Sequence, residues 1–337
     1  MNIAIEATLK IVVALFVIMT TLAYLVLIER KVLAWIQYRV GPNRVGPWGL
    51  LQPLADLLKF LAKEDVTPDT PNKILFTLAP LLSFVPAMMT LAVIPFGGSM
   101  TLFGQEIGLY ITTLNVGVLY ILALGSLEVY GVVLAGWASN SKYALLGGLR
   151  SAAQMISYEL ALTLSVVGVL IQAGTLDLQQ IVQQQAGTYL GFIPRWYVFW
   201  YQPLGFLIFF IAAVAETNRV PFDLPEAETE LVAGYHTEYS SIKFAIFFVA
   251  EYAAMFAVSS LATTLFLGGW NGPGADRVPL LGVVYFALKV GALLFVYIWL
   301  RGTLPRFRYD QLMRFGWKFL VPMAMLNIVI SAVLALW

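Results

Sequence analysis

The chain has 337 residues, 60% of them hydrophobic and only 12% charged, with a mean hydropathy of +0.82 and a net charge of +1. That composition is too apolar for a water-soluble globule and places the chain in lipid, as an all-α integral membrane protein. The small net charge gives no reason to expect a nucleic-acid partner. Cysteine is absent and histidine occurs once, at His236. This chain alone therefore holds no iron-sulfur cluster and no disulfide, and it lacks the His pair that usually ligates a transmembrane haem. No metal site and no covalently bound cofactor is expected, so any electrons must come from a partner or on a diffusible carrier.

In chain order, apolar stretches long enough to cross a roughly 30 Å hydrocarbon core fall at about 11–28, 75–96, 112–136, 152–172, 197–216, 242–267, 280–300 and 319–336. About eight transmembrane helices in one polytopic domain over 1–337 are expected. The first run continues from Lys10 to Ile28 without an A-x-A-like site, so it is read as a span rather than a cleavable signal peptide. Next, Gly41–Gly46 reads G-P-N-R-V-G, the outline of a phosphate loop. Pro47 and Trp48 replace the Lys and Ser/Thr that phosphate and magnesium would need, so the segment is a rigid turn. It leads into an interfacial amphipathic helix at about 50–63, with Leu50, Leu51, Leu54, Leu57, Leu58 and Leu61 on one face and Gln52, Asp56, Lys59 and Lys63 on the other. Pro80, Pro86 and Pro95 should bend the second span. The run Gln179–Gln185 reads as a short loop. An even number of spans puts both termini on one side. Sixteen Lys and Arg fall on the opposite side, against Lys10, Arg195 and Arg277, so both termini are expected to be periplasmic.

Ionisable groups inside spans carry the functional signal, because each costs roughly 2.5–3.5 kcal/mol at the bilayer centre. Glu128, Glu159, Glu251 and Lys289 lie within spans, Glu29 ends the first and Glu216 ends the fifth. By helical rise, Glu159 should sit roughly 10 Å and Glu251 roughly 13 Å below the cytoplasmic ends of their helices. A structural ion pair, for example one made by Lys289, accounts for one acid but not for several. Burial disfavours the charged form of a carboxyl, so proton exchange is the natural role for such a group. Between the fifth and sixth spans, Asp223, Glu226, Glu228 and Glu230 form an acidic loop interleaved with Pro221, Phe222, Pro225 and Tyr235. That mixture suits a rigid, partly buried segment able to deliver protons to the intramembrane acids.

At Glu29–Gly46 the chain reads E-R-K-V-L-A-W-I-Q-Y-R-V-G-P-N-R-V-G. Further segments are K-E-D at Lys63, G-W-A-S-N-S-K-Y at Gly136, Q-M-I-S-Y-E at Gln154, the loop Glu216–Glu238, F-F-V-A-E-Y at Phe247, G-G-W at Gly268 and L-P-R-F-R-Y-D at Leu304. In this order the segments resemble the quinone-site membrane subunit family of respiratory complex I, the proton-translocating NADH:quinone oxidoreductase, nearly end to end and most closely in its bacterial form. The resemblance implies a chain with no redox centre, forming the membrane end of a quinone tunnel whose head-group end lies in a hydrophilic neighbour. It implies ubiquinone or menaquinone as substrate and a multi-pass place in the bacterial inner membrane. The implied partners are hydrophilic quinone-site and iron-sulfur subunits, small membrane subunits and antiporter-like subunits. It places Glu29, Arg30, Asp56 and Lys59 along the tunnel. Glu128, Glu159, Glu216 and Glu251 match the family's intramembrane acids, and Asp223, Glu226, Glu228 and Glu230 its acidic loop. The competing readings are the membrane subunit of an energy-converting hydrogenase, an independent proton-coupled transporter, and a purely structural docking subunit.

Overall fold

The computed structural model describes residues 3–68, 72–102, 105–189, 193–223, 232–275 and 278–336. Seven helices among them are long and apolar enough to cross a membrane. These are α1 (Ile3–Ile36), α3 (Lys73–Thr90), α4 (Gly117–Ala138), α5 (Lys142–Ala173), α9 (Ser241–Phe266), α10 (Pro279–Thr303) and a last helix running from Tyr309 to Ala335. The last is α11 (Tyr309–Phe315) joined through a π-turn at Gly316–Leu320 to α12 (Val321–Ala335). An eighth apolar helix, α8 (Pro203–Glu216), is shorter. The remaining helices are α2 (Gln52–Ala62), α6 (Leu178–Gln184) and α7 (Tyr197–Trp200). Two antiparallel hairpins, β1 (Ser99–Leu102) with β2 (Gln105–Gly108) and β3 (Thr188–Tyr189) with β4 (Ile193–Pro194), close the turns between helices.

Several boundaries depart from the hydropathy reading. Helix α1 does not stop at Ile28 but continues to Ile36, so Glu29, Arg30 and Lys31 are helical. Helix α5 begins ten residues before the expected start at 152. The fifth apolar stretch, expected as one helix over 197–216, breaks at Tyr201–Gln202. Pro203 opens α8 from its first turn, where its missing N–H costs no bond. The fully buried Gln202 amide fastens the break, donating to Ser331 Oγ at 2.7 Å and accepting from Asn327 Nδ2 at 2.9 Å. Pro80 and Pro86 lie inside α3, but Pro95 falls beyond its end at Thr90. The run Gln179–Gln185 is helix α6 and its end rather than a loop. Gln185, fully buried, accepts from Tyr197 N at 3.2 Å and Gly268 N at 3.0 Å and donates to the Thr264 and Leu265 carbonyls.

Helices α9, α3, α4 and α5 pack in that order, and α5 also packs against α8 and α12. Small residues let them approach: a Cβ on Gly131 of α4 would stand 2.7 Å from Ser83 N and 2.9 Å from Ala79 O of α3. One apolar core runs through α1, α5, α8, α9, α10 and α12, and a second joins α3, α4 and the Tyr235–Phe247 region. Helix α2 buries none of its residues, and its leucines at 54, 57, 58 and 61 remain exposed.

Candidate functional site

The charged groups inside the bundle gather around Arg219. The chain leaves α8 through a turn in which Asn218 takes a left-handed conformation, φ +51°, and Arg219 N bonds back to Val214 O at 3.2 Å. The guanidinium lies between two helices. Its Nη1 is 3.3 Å from Glu29 Oε1 on α1, its Nε is 2.7 Å from Glu251 Oε1 on α9, and it covers the Tyr252 ring with its centre 4.2 Å from the centroid. Arg301, near the end of α10, forms a second ion pair with Glu29. Three helices and the turn after α8 thus bring two carboxylates and two guanidinium groups together. Arg219 and Glu29 are only 6% and 5% exposed at the side chain, so each needs the other for its charge to be held away from water.

From Glu251 the polar track continues into two cavities that share Glu128, Glu216 and Thr217 in their walls. The first is also bounded by Glu159 and Thr90, the second by Glu251, Asn218 and Tyr235. The first has a volume of about 40 Å³ and the second about 20 Å³. At roughly 10–15 Å³ per water, that is room for a few waters in the first and one in the second. Ser126 of α4 donates to Glu159 on α5. Opposite it, Gly125 leaves space for Glu216, whose Oε1 lies 3.6 Å from where a Cβ on that glycine would be. Four acids from α4, α5, α8 and α9 therefore line two cavities with shared walls, Glu159 facing the first and Glu251 the second.

Glu159 sits seventeen residues from the start of α5, roughly 25 Å along its axis rather than the expected 10 Å. The shift follows from the earlier start of that helix. Arg30 and Asp56 form an ion pair at 2.7 Å, Lys59 approaches Asp56 at 3.9 Å, and Gln52 donates to Asp56 at 3.0 Å. This cluster adjoins the Arg219 hub because Arg30 follows Glu29 on the same helix. Asp223, buried, pairs with Arg306 at 2.9 Å. Glu226, Glu228 and Glu230 lie outside the described residues. Lys289 joins no acid in these pairs. Its ammonium donates to the carbonyls of Leu267, Gly269 and Asn271 at 2.7, 2.8 and 2.7 Å, and it faces the Trp196 ring, thereby closing the end of α9. His236 packs its ring between Tyr235 and Phe244.

Sequence reasoning missed Arg219 and Arg301, which counted only toward the side of the membrane. The spacing of Arg219 from Glu216 gave no usable signal, because α8 ends at Glu216 and Arg219 pairs with Glu29 and Glu251 instead. Arg301 carried none.

Fold and site together define a multi-pass membrane protein with acids in the walls of cavities between its helices. The family model described as NADH dehydrogenase matches residues 9–332. The H-type subunit of NADH-quinone oxidoreductase from Thermomicrobium roseum is 57% identical over 328 residues, covering 96% of this chain and 94% of that protein. The H-type subunit numbered 1 of the same enzyme from Geobacter metallireducens is 55% identical over 322 residues, with the same coverage of 96% and 94%. Its counterpart from Protochlamydia amoebophila is 52% identical over 313 residues, covering 93% and 92%. The chain belongs to this family, the H-type subunits of NADH-quinone oxidoreductase.

Proposed function

We propose that the chain is the membrane subunit that links quinone reduction to proton translocation in a bacterial NADH-quinone oxidoreductase. In this reading it is one polytopic domain in the inner membrane with both termini periplasmic. It forms the membrane end of the quinone tunnel against a hydrophilic neighbour that carries the electrons. Glu29, Arg30, Asp56 and Lys59 line the way in for the quinone substrate, where exposed leucines of α2 meet lipid. Small membrane subunits and antiporter-like subunits complete the assembly around the remaining helices.

The observation that carries the reading is the succession of ion pairs and cavity-lining acids. It runs from the Arg30–Asp56 pair through Glu29, Arg219 and Glu251 into the cavities bounded by Glu128, Glu216 and Glu159. Glu128 and Glu216 line both cavities, with Glu159 beside them in the first and Glu251 in the second. A unit charge appearing about 8 Å away is worth about 2 kcal/mol at an effective dielectric near 20. A charge change in the quinone cavity thus alters the balance at Glu29 and Arg219, and Glu251 and the acids beyond it respond by exchanging protons. Asp223, Glu226, Glu228 and Glu230 supply protons from the aqueous side.

The test is Glu159→Gln or Glu251→Gln in assembled complexes in proteoliposomes. Each keeps shape and hydrogen bonding but cannot exchange the carboxyl proton. Quinone-linked turnover and proton translocation should fall together, while electron transfer to a water-soluble acceptor persists. The Arg219–Glu251 pair favours a second, purely structural reading, in which both variants keep full turnover and an unchanged proton-to-electron ratio.

A further inference from the structure

Outside the acids themselves, the most constrained polar side chain near the hub is Gln154 on α5. It is fully buried. Its Nε2 is directed at three oxygens of the segment that carries Arg219: Ala215 O at 2.8 Å, Asn218 Oδ1 at 3.1 Å and Phe222 O at 2.7 Å. Ala215 is in the last turn of α8, where carbonyls lack helical partners. Phe222 lies three residues beyond Arg219. One amide therefore grips the turn on both sides of the guanidinium. Asn218 strengthens the hold by donating to Ser151 Oγ, one turn earlier on α5, at 3.3 Å. Tyr158, one turn later, packs its ring 5.6 Å from that of Phe222 and donates to Leu312 O at 2.8 Å. Besides Phe307 N, which donates to Pro221 O at 3.1 Å, the backbone bonds of the turn are short-range, such as Phe222 N to Arg219 O at 2.8 Å, and the short-range ones do not set its position relative to α1 and α9.

We propose that Gln154 is a positioning residue for the ion-pair hub: its amide sets the turn so that Arg219 stands between Glu29 and Glu251, and it ties that placement to α5, the helix that carries Glu159. The proposal rests on the proton-coupling reading above. It adds a mechanical link to the electrostatic one, because a shift of α5 carries Glu159 and the Arg219 turn together. A donor is what the site requires, since three oxygens face the side chain. An apolar residue of similar volume fills the space but lets the turn drift.

The experiment is a double-mutant cycle in the whole complex with Gln154→Met, Arg219→Lys and the pair. Turnover with quinone, the thermal unfolding midpoint and deuterium exchange of amides 217–220 and 222 are read for each. Gln154→Met should lower turnover by about tenfold or more, as expected for a misplacement near 1 Å, and should speed exchange across the turn. In the Arg219→Lys background the same change should cost less than about twofold further, because the group it positions has already been altered. Additive losses, or unchanged exchange in Gln154→Met, overturn the proposal. Where Gln154→Met fails to assemble, Gln154→Asn, which keeps the amide on a shorter stem, takes its place in the cycle. Failure of both to assemble assigns Gln154 to folding alone and also overturns it. If Glu159→Gln and Glu251→Gln leave turnover intact, the coupling reading falls. Non-additive unfolding midpoints and faster exchange in the Gln154 variant would still support the positioning.

Discussion

Replacing Arg219 with Met keeps most of the aliphatic stem and removes one positive charge from between Glu29 and Glu251, which it approaches at 3.3 and 2.7 Å. At an effective dielectric near 20, two unit charges about 4 Å apart attract by about 4 kcal/mol. Breaking one partner out of a buried pair costs about 3–5 kcal/mol, because the other charge stays behind. Arg301 remains on Glu29, so the loss falls chiefly on Glu251. Adding Glu251→Gln to Arg219→Met removes that charge as well and should recover most of the stability. The assay is thermal unfolding of the detergent-solubilised complex at one scan rate, scored by retention of this chain on native gels. Arg219→Met should have the lowest midpoint, the double variant an intermediate one and the unmodified complex the highest. Equal midpoints for Arg219→Met and the double variant would refute the reasoning, since no uncompensated charge would then have been left by the single change.

Gly131→Ala should prevent stable incorporation of the chain, because its Cβ would lie 2.7 Å from Ser83 N and 2.9 Å from Ala79 O, both backbone atoms of α3. Forcing α3 and α4 apart costs about 1–3 kcal/mol, and normal incorporation on native gels would show that the contact is not tight. Arg30→Ala and Asp56→Ala should leave unfolding midpoints nearly unchanged, since a partly exposed pair is worth about 1 kcal/mol or less. Both should nevertheless impair quinone reduction relative to a water-soluble acceptor, and equal loss of the two activities in assembled enzyme would contradict a quinone-site role. Labels placed in segments 40–48 and 306–312 should react from the cytoplasm and tags at both termini from the periplasm. A C-terminus reached from the cytoplasm would overturn that topology.

The apolar stretches were legible because length and hydropathy suffice to mark a helix in lipid. Their ends were not, wherever a helix carries charge whose partners come from elsewhere. Hydropathy stops α1 at Glu29, yet Glu29 is paired with Arg219, 190 residues away, and Arg30 with Asp56, so the helix continues at little cost. The break before α8 had a visible signal, since the residue preceding Pro203 is steered away from helical conformation. The hydropathy window smoothed over it. Among the site residues, the acids could be found singly because each is expensive in a span. Their pairings could not, as they depend on which helices become neighbours. Lys289 shows the limit most clearly: its acceptors are backbone carbonyls of the turn after α9, which no residue type announces.

Helix α1 is a rod of 34 residues, about 51 Å long, with Glu29 and Arg30 side by side upon it facing different partners. Inserting one residue between Ile18 and Glu29 would advance everything beyond it by about 1.5 Å and rotate it by about 100°. Glu29 would swing off the guanidinium of Arg219 and Arg30 off the carboxylate of Asp56 in the same step. The spacing along this rod therefore works as a reading frame. A length change in α1 scrambles both charge pairings at once, whereas one in the β1–β2 hairpin moves neither.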